Sequence, residues 1–135
     1  MVGSHPIKFW SKVQQRVALS SAESELYAGV YTAVQALGVK QFARDLGFDL
    51  KVDLLMDAKA TIAIILREGI GTMKHVALRW HWLREAVHGK EVSLVKVHTS
   101  KNLADPFTKN LPAEKARSLL AEAGFHVLPQ RGAGA

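Results

Sequence analysis

Apolar and polar positions alternate near the start of the chain. Residues 7–12 read Ile-Lys-Phe-Trp-Ser-Lys, and the change between apolar and polar positions predicts a half-buried strand. Residues 16–20 form a second short apolar run after the polar pair Gln14 and Gln15, and they predict another extended segment. The chain therefore opens with two predicted strands.

A long helix is predicted next, because apolar residues then recur at steps of three and four. Ser20 and Glu23 have the spacing of a capping box and predict where this helix begins, and Gly47 predicts its end. Gly29 and Gly38 each cost up to about 1 kcal/mol in a helix interior relative to alanine, so we expect close packing on a sheet at both. The apolar face consists of Leu26, Val30, Ala33, Val34 and Leu37.

Strands and helices alternate through the rest of the chain. The predicted elements are a strand at 51–57, a short helix at 61–66, a helix at about 74–87, a strand at 91–97 and a last helix from Pro112, at its first position, to Gly124. Helices between the two later strands indicate a crossover connection, so these strands should be parallel. The predicted fold class is α/β, or α+β with a mixed sheet.

Composition restricts the class of protein. The chain has 135 residues, 48% of them hydrophobic and 22% charged, which suits one globular domain, predicted over 1–128 with a loose tail at 129–135. The absence of cysteine excludes disulfides, thiolate zinc sites and a cysteine nucleophile. We find neither a signal peptide nor a membrane-spanning run, so we expect a soluble intracellular protein, with cytoplasm and nucleus both open.

An excess of basic residues is the first indication of function. Eighteen Lys and Arg against twelve Asp and Glu give a net charge of +6, and such an excess favours nucleic acid as a partner. The alternative is that these side chains only keep the protein soluble. The predicted phosphate-facing set is Lys59, Lys74, Arg79, Arg84, Lys101 and Lys109.

Three carboxylates are candidates for a shared site. Asp57 ends a predicted strand, Asp105 follows the next strand, and Glu25 lies in the first turns of the long helix. Ligands of α/β sheets gather at the carboxyl ends of strands, and oxygen donors without cysteine favour Mg²⁺ or Mn²⁺ over zinc. Each residue also has an ordinary alternative: a solvated helix glutamate, a turn or cap residue, and an N-cap.

Four segments, in order, resemble the ribonuclease H domain of copia-type LTR-retrotransposon polyproteins. VALSSAESELYA resembles the family's VALSSxEAEY, and LMD with the following apolar helix resembles CDNQSAI. KHVALRWHWLRE resembles KHIDIRYHFIRE, and the NLAD and TK of residues 102–109 resemble the end of YVPTEDQLADILTK. The resemblance covers about residues 5–126.

The resemblance implies a fold and an activity. The family fold is a five-stranded mixed sheet flanked by helices, and four carboxylates hold two Mg²⁺ ions that help to cleave the RNA strand of an RNA–DNA hybrid. Three of those carboxylates fall on Glu25, Asp57 and Asp105. Ser20 and Ser21 fall where relatives contact the hybrid backbone. His98 lies roughly where cellular ribonucleases H carry a histidine that helps product release.

The chain departs from the family pattern at its start. No acidic residue precedes Glu23, so the family's first catalytic aspartate is missing, together with the first strand and most of the second. Ala58 also replaces the asparagine that follows the second aspartate. We therefore expect a domain linked to an upstream reverse transcriptase portion and impaired alone; the alternatives are a non-catalytic nucleic-acid-binding or connection module, or a non-functional transposon relic.

Overall fold

The computed structural model describes residues 1–10, 18, 20–67 and 77–125. The chain divides into two compact units, the first from Met1–Gln15 and Thr99–Ala135 and the second from Arg16–His98. The predicted tail at 129–135 and the candidate Lys74 lie outside the described residues, as does most of the predicted extended segment at 16–20. A single domain over 1–128 stays a prediction.

The long helix of the second unit, α1, spans Ser21–Asp45. The Ser20 side chain accepts a hydrogen bond of 3.2 Å from the amide of Glu23, which satisfies one of the unpaired donors at the start of a helix. Past the other end, Gly47 has a φ of +86°, a left-handed conformation that glycine adopts without strain. The predicted start and end of this helix are therefore confirmed.

A two-stranded parallel sheet stands beside α1. Strand β1 (Asp53–Met56) pairs with β2 (Ser93–Lys96) in a register that sets Met56 opposite Lys96. Between the strands run two helices, α2 (Lys59–Leu66) and α3 (Ala77–His88). The parallel pairing and the α/β class are confirmed.

The core of the second unit lies between α1, the sheet and the two later helices. A β-carbon placed at Gly29 would lie 3.4 Å from Met56 Cε, so α1 packs closely on β1 there, as predicted. The prediction of close packing at Gly38 is wrong. Nothing lies within 4 Å of a β-carbon placed there, so packing does not explain this glycine. The buried residues of this core are Leu26, Ala33, Leu54, Met56, Ile65, Trp80, Leu83 and Val92.

Helix α1 runs antiparallel to the strands. Lys40, near the carboxyl end of α1, makes a 2.7 Å salt bridge with Glu91, which lies just before β2. From Gly29, which packs on Met56, to Lys40 the helix rises about 17 Å. From Lys96, the partner of Met56 on β2, back to Glu91 the strand covers about the same distance. The amino-terminal end of α1 therefore lies at the carboxyl end of the sheet.

The first unit joins residues from both ends of the described chain. Its described residues include a short helix, α4 (Ala113–Glu122), and the 3₁₀ turns Thr99–Lys101 and Asp105–Phe107. The ring of Phe9 lies 5.8 Å from that of Phe107 and 4.9 Å from that of Phe125, measured between centroids. A β-carbon at Gly124 would come within 2.5 Å of the Ser4 carbonyl oxygen, so only glycine fits there without a shift.

Two boundaries in the first unit differ from prediction. Residues 7–10 are not in a strand, so the predicted opening strand is wrong over the part that the structure describes. Phe9 is largely exposed there and contacts the rings of Phe107 and Phe125 rather than a sheet. Pro112 is the N-cap of α4 rather than its first residue. Among the described residues, no helix is long and apolar enough to cross a membrane.

Candidate functional site

Glu25 and Asp57 lie at the same edge of the sheet. Glu25 precedes Gly29 by one helical turn, about 6 Å along the axis, and Asp57 follows Met56 by one residue, about 3.3 Å along the strand. Because Gly29 packs on Met56 and α1 is antiparallel to β1, both carboxylates lie beyond the carboxyl end of β1. Both residues are half-buried. The structure thus brings two of the three predicted carboxylates to one edge.

A lysine that the sequence analysis missed lies beside Asp57. The ammonium of Lys96 donates a 2.9 Å hydrogen bond to the backbone carbonyl of Asp57, and the amide of Val97 donates to that of Met56. Lys96 is the last residue of β2 and stands opposite Met56 in the parallel register. The predicted parallel pairing was the signal that could have identified it, since parallel strands end at the same edge.

The first turns of α2 and α3 also lie at this edge. Lys59 begins α2 two residues after Asp57. The amides of Glu91 and Val92, just before β2, donate to the carbonyl of Ala86, so α3 ends where β2 begins and its own start lies at the carboxyl edge. The predicted site residues on elements that begin or end toward this edge are Ser20, Ser21, Glu25, Asp57, Lys59, Arg79 and His98, the last of which follows β2 by two residues.

A glutamate, a tyrosine and an arginine form a contact network at the start of α1. Glu23 is only 1% exposed, and Tyr27 hydrogen-bonds to its carboxylate. Arg79 lies with its guanidinium carbon 4.8 Å from the centroid of the Tyr27 ring and also hydrogen-bonds to the tyrosine side chain. Burial raises the pKa of Tyr27, and so does the Glu23 carboxylate, whereas Arg79 opposes the shift.

The capping-box spacing predicts only a capping role for Glu23, and it predicts no role for Tyr27. Tyr27 lies one turn after Glu23 on α1, where residues four apart share a face. The four-residue spacing of a tyrosine and a carboxylate could therefore have predicted this contact from the sequence. The partner from α3 could be found only from the packing of the two helices.

Arg84 contacts the core rather than the edge of the sheet. Its guanidinium carbon lies 5.4 Å from the centroid of the Trp80 ring, and its Nε is buried with no hydrogen-bond partner in the structure. Trp80 itself is 1% exposed and donates a 2.6 Å hydrogen bond to the carbonyl of Ile64 in the last turn of α2. The arrangement stabilises the contact between α2 and α3.

The third predicted carboxylate, Asp105, belongs to the first unit. It begins the 3₁₀ turn Asp105–Phe107, its side chain is 3% exposed, and its Oδ1 lies 2.9 Å from the ammonium of Lys109. Asn102 supports the turn by accepting a 3.1 Å hydrogen bond from the amide of Ala104. Lys101 lies in the preceding 3₁₀ turn. That Asp105 shares a site with Glu25 and Asp57 stays a prediction.

The donor groups at the sheet edge suit a hard divalent cation. Carboxylate oxygens are the protein ligands that Mg²⁺ and Mn²⁺ prefer, and Glu25 and Asp57 fit as two members of such a ligand set. Over residues 1–10, 18, 20–67 and 77–125, no group of three or more His, Cys, Asp and Glu side chains is placed to hold a metal ion. That the second unit contributes part of a metal site stays a prediction.

Comparison with curated proteins finds transposon polyproteins. The chain is 32% identical over 123 residues to the retrovirus-related Pol polyprotein from transposon TNT 1-94 of Nicotiana tabacum, covering 89% of this chain and 9% of that protein. Two Arabidopsis thaliana Pol polyproteins also match: that from transposon RE2 at 32% over 82% of the chain, and that from RE1 at 28% over 95%. The chain spans less than a tenth of the length of each. No protein-family model and no solved structure matches it.

Proposed function

The chain is a homologue of a segment of the retrovirus-related Pol polyproteins of copia-type transposons, and we propose that it is their ribonuclease H-like domain. In its complete form such a domain hydrolyses the RNA strand of an RNA–DNA hybrid. The observation that carries the proposal is the edge of the sheet at which Glu25 and Asp57 lie among the cations Lys59, Arg79 and Lys96. Acids beside cations at one edge suit cleavage of a polyanion, because the cations can bind phosphates while the acids hold metal.

Glu25, Asp57 and Asp105 are the residues that would hold Mg²⁺ or Mn²⁺ in this proposal. When bound, such ions supply an activated water and stabilise the leaving oxygen of a phosphodiester. Glu25 and Asp57 come from rigid elements that pack on each other through Gly29, so their backbones are fixed before any ligand arrives. Lys109 balances the charge of the buried Asp105 carboxylate.

The cations at the edge bind and orient the nucleic acid. Arg79 and Lys96 are each held by a contact with the protein, and Lys59 is exposed in the first turn of α2. The hydroxyls of Ser20 and Ser21 contact the hybrid backbone, and His98 assists product release. The other cations proposed to contact phosphates are Lys74, Lys101 and Lys109; Arg84 is not among them, because it contacts the core.

We expect the 135-residue chain by itself to bind hybrid without cleaving it. The proposed mechanism uses four carboxylates, and these residues supply three of them, since no acidic residue precedes Glu23. The fourth would come from the polyprotein segment that joins this region to reverse transcriptase. A non-catalytic nucleic-acid-binding module is the second candidate, favoured by the net charge of +6.

A cleavage assay with a labelled RNA–DNA hybrid and Mg²⁺ tests the proposal. The chain is assayed alone and fused behind the segment that precedes the matched region in the transposon TNT 1-94 polyprotein. We expect the fusion to cleave and Asp57→Asn to reduce its rate by about two orders of magnitude, since a metal ligand supports several kcal/mol of transition-state stabilisation. Hybrid binding by this variant should be unchanged or tighter, because a negative charge is lost.

Asp49→Asn is the matched control. Asp49 is exposed in the linker before β1, at the opposite end of the strand from Asp57, and the substitution removes the same charge. Equal cleavage by the two fused variants would refute the role of Asp57. A fusion that binds hybrid with an affinity that falls steeply as salt rises, and that never cleaves it, would support the binding module instead.

A further inference from the structure

The Tyr27 ring is a fixed platform at the start of α1. Its ring packs against the core cluster of the second unit, while its hydroxyl reaches the carboxylate of the buried Glu23. A residue held at both its ring and its hydroxyl has little freedom to change rotamer. The position of a side chain that stacks on this ring is therefore fixed by the packing of Tyr27 on the core.

That side chain is Arg79, in the first turn of α3. Its guanidinium lies over the Tyr27 ring at 4.8 Å and hydrogen-bonds to the tyrosine side chain, yet Arg79 remains exposed. A guanidinium has five N–H donors, and stacking on one ring leaves most of them directed elsewhere. Arginine is also the side chain best suited to bidentate contact with phosphate oxygens.

We propose that Tyr27, backed by Glu23, is a positioning residue that holds Arg79 ready to receive a phosphate of the nucleic-acid backbone. This inference rests on the proposed function, since it assumes that the carboxyl edge binds nucleic acid. Tyr27 does not touch the ligand; it acts by removing the rotamer freedom that Arg79 would otherwise lose on binding. Glu23 acts one step further away, by fixing the hydroxyl of Tyr27.

Four variants of the full chain separate these roles. Arg79→Gln removes the cation, and Arg44→Gln is its control, because Arg44 is an exposed arginine in the last turn of α1 at the other end of the helix. Tyr27→Phe keeps the ring and removes only the hydroxyl. The double variant combines Tyr27→Phe with Arg79→Gln. Affinity for an RNA–DNA hybrid is measured by fluorescence anisotropy across a range of salt concentrations.

We expect Arg79→Gln to reduce the slope of log affinity against log salt by about 0.9, the value for one phosphate contact, while Arg44→Gln leaves it unchanged. Tyr27→Phe should weaken binding by about three- to fivefold, because Arg79 regains rotamer freedom that it must lose again on binding, with the salt slope kept. In the double variant the effect of Tyr27→Phe should vanish, because the tyrosine then has no arginine to position. A merely structural role would persist in that background.

The outcomes distinguish a failure of this inference from a failure of the proposed function. If Arg79→Gln and Arg44→Gln bind alike, the phosphate role of Arg79 is wrong. If Arg79→Gln weakens binding and Tyr27→Phe does not, only the positioning role is wrong. NMR order parameters of the Arg79 Nε–H group decide the matter without any nucleic acid: we expect an ordered side chain that becomes mobile in Tyr27→Phe, and equal order in both proteins would overturn the inference.

Discussion

Two glycines of α1 offer a matched test of how the helix packs on the sheet. Gly29 and Gly38 both lie in the interior of the helix, but only Gly29 faces neighbouring side chains. A β-carbon at Gly29 would lie 3.4 Å from Met56, 3.7 Å from Leu54 and 3.8 Å from Leu83, whereas one at Gly38 would meet nothing within 4 Å. Substitution by leucine at each position should therefore have opposite effects on stability.

The magnitudes follow from helix propensity and packing. Gly38→Leu should raise the free energy of unfolding by about 0.8 kcal/mol, because leucine is a far better helix former than glycine and its side chain enters solvent. Gly29→Leu gains the same propensity, but its atoms beyond the β-carbon enter space held by Met56 and Leu54, at a cost of about 1–3 kcal/mol. Gly29→Ala should be tolerated, since 3.4–3.8 Å is ordinary contact.

Urea unfolding followed by tryptophan fluorescence measures both effects, because Trp80 lies in the core of the same unit. We expect the midpoint to rise for Gly38→Leu and to fall for Gly29→Leu. Equal midpoints for the two leucine variants would refute the close approach of α1 to β1. They would also weaken the placement of Glu25 beside Asp57, which depends on that approach.

Three further predictions concern other contacts. Lys40 lowers the pKa of Glu91 below its ordinary value of 4.5 by a hydrogen bond and by its charge. The pair therefore stabilises the fold above that value, and this stabilisation is lost as pH falls through the lowered pKa. NMR titration should find a higher pKa of Glu91 in Lys40→Met than in the parent protein. Trp80→Phe should cost about 2 kcal/mol, measured by urea unfolding, because the Ile64 carbonyl loses its donor. Phe9→Ala should leave the unfolding midpoint of the second unit unchanged while increasing hydrogen exchange in α4, and equal exchange would contradict the aromatic contacts of the first unit.

The sequence predicted the second unit well because its signals are local. The cap at Ser20, the stop at Gly47 and the run of apolar residues before Asp57 each depend on neighbouring positions, and the structure confirms them. The parallel pairing of β1 and β2 followed from the helices between them. These features together place Glu25 and Asp57 at one edge.

Other features depended on contacts between distant segments. Alternation at residues 7–10 is equally consistent with a strand and with an extended segment whose phenylalanine packs on aromatic rings, and here Phe9 contacts Phe107 and Phe125. The two glycines in the interior of α1 look alike in sequence, yet only Gly29 packs against the sheet. Arg79 could be proposed as a cation, but its tyrosine support required the packing of α3 on α1.

The first unit takes its residues from segments separated by the whole of the second. During synthesis residues 16–98 can collapse as soon as they leave the ribosome, whereas Phe9 must wait for Phe107 and Phe125 to emerge. The early residues therefore spend that interval without their aromatic partners. Slower translation of residues 99–125 would lengthen this exposure and, with it, the time in which a protease could cut the chain near Phe9.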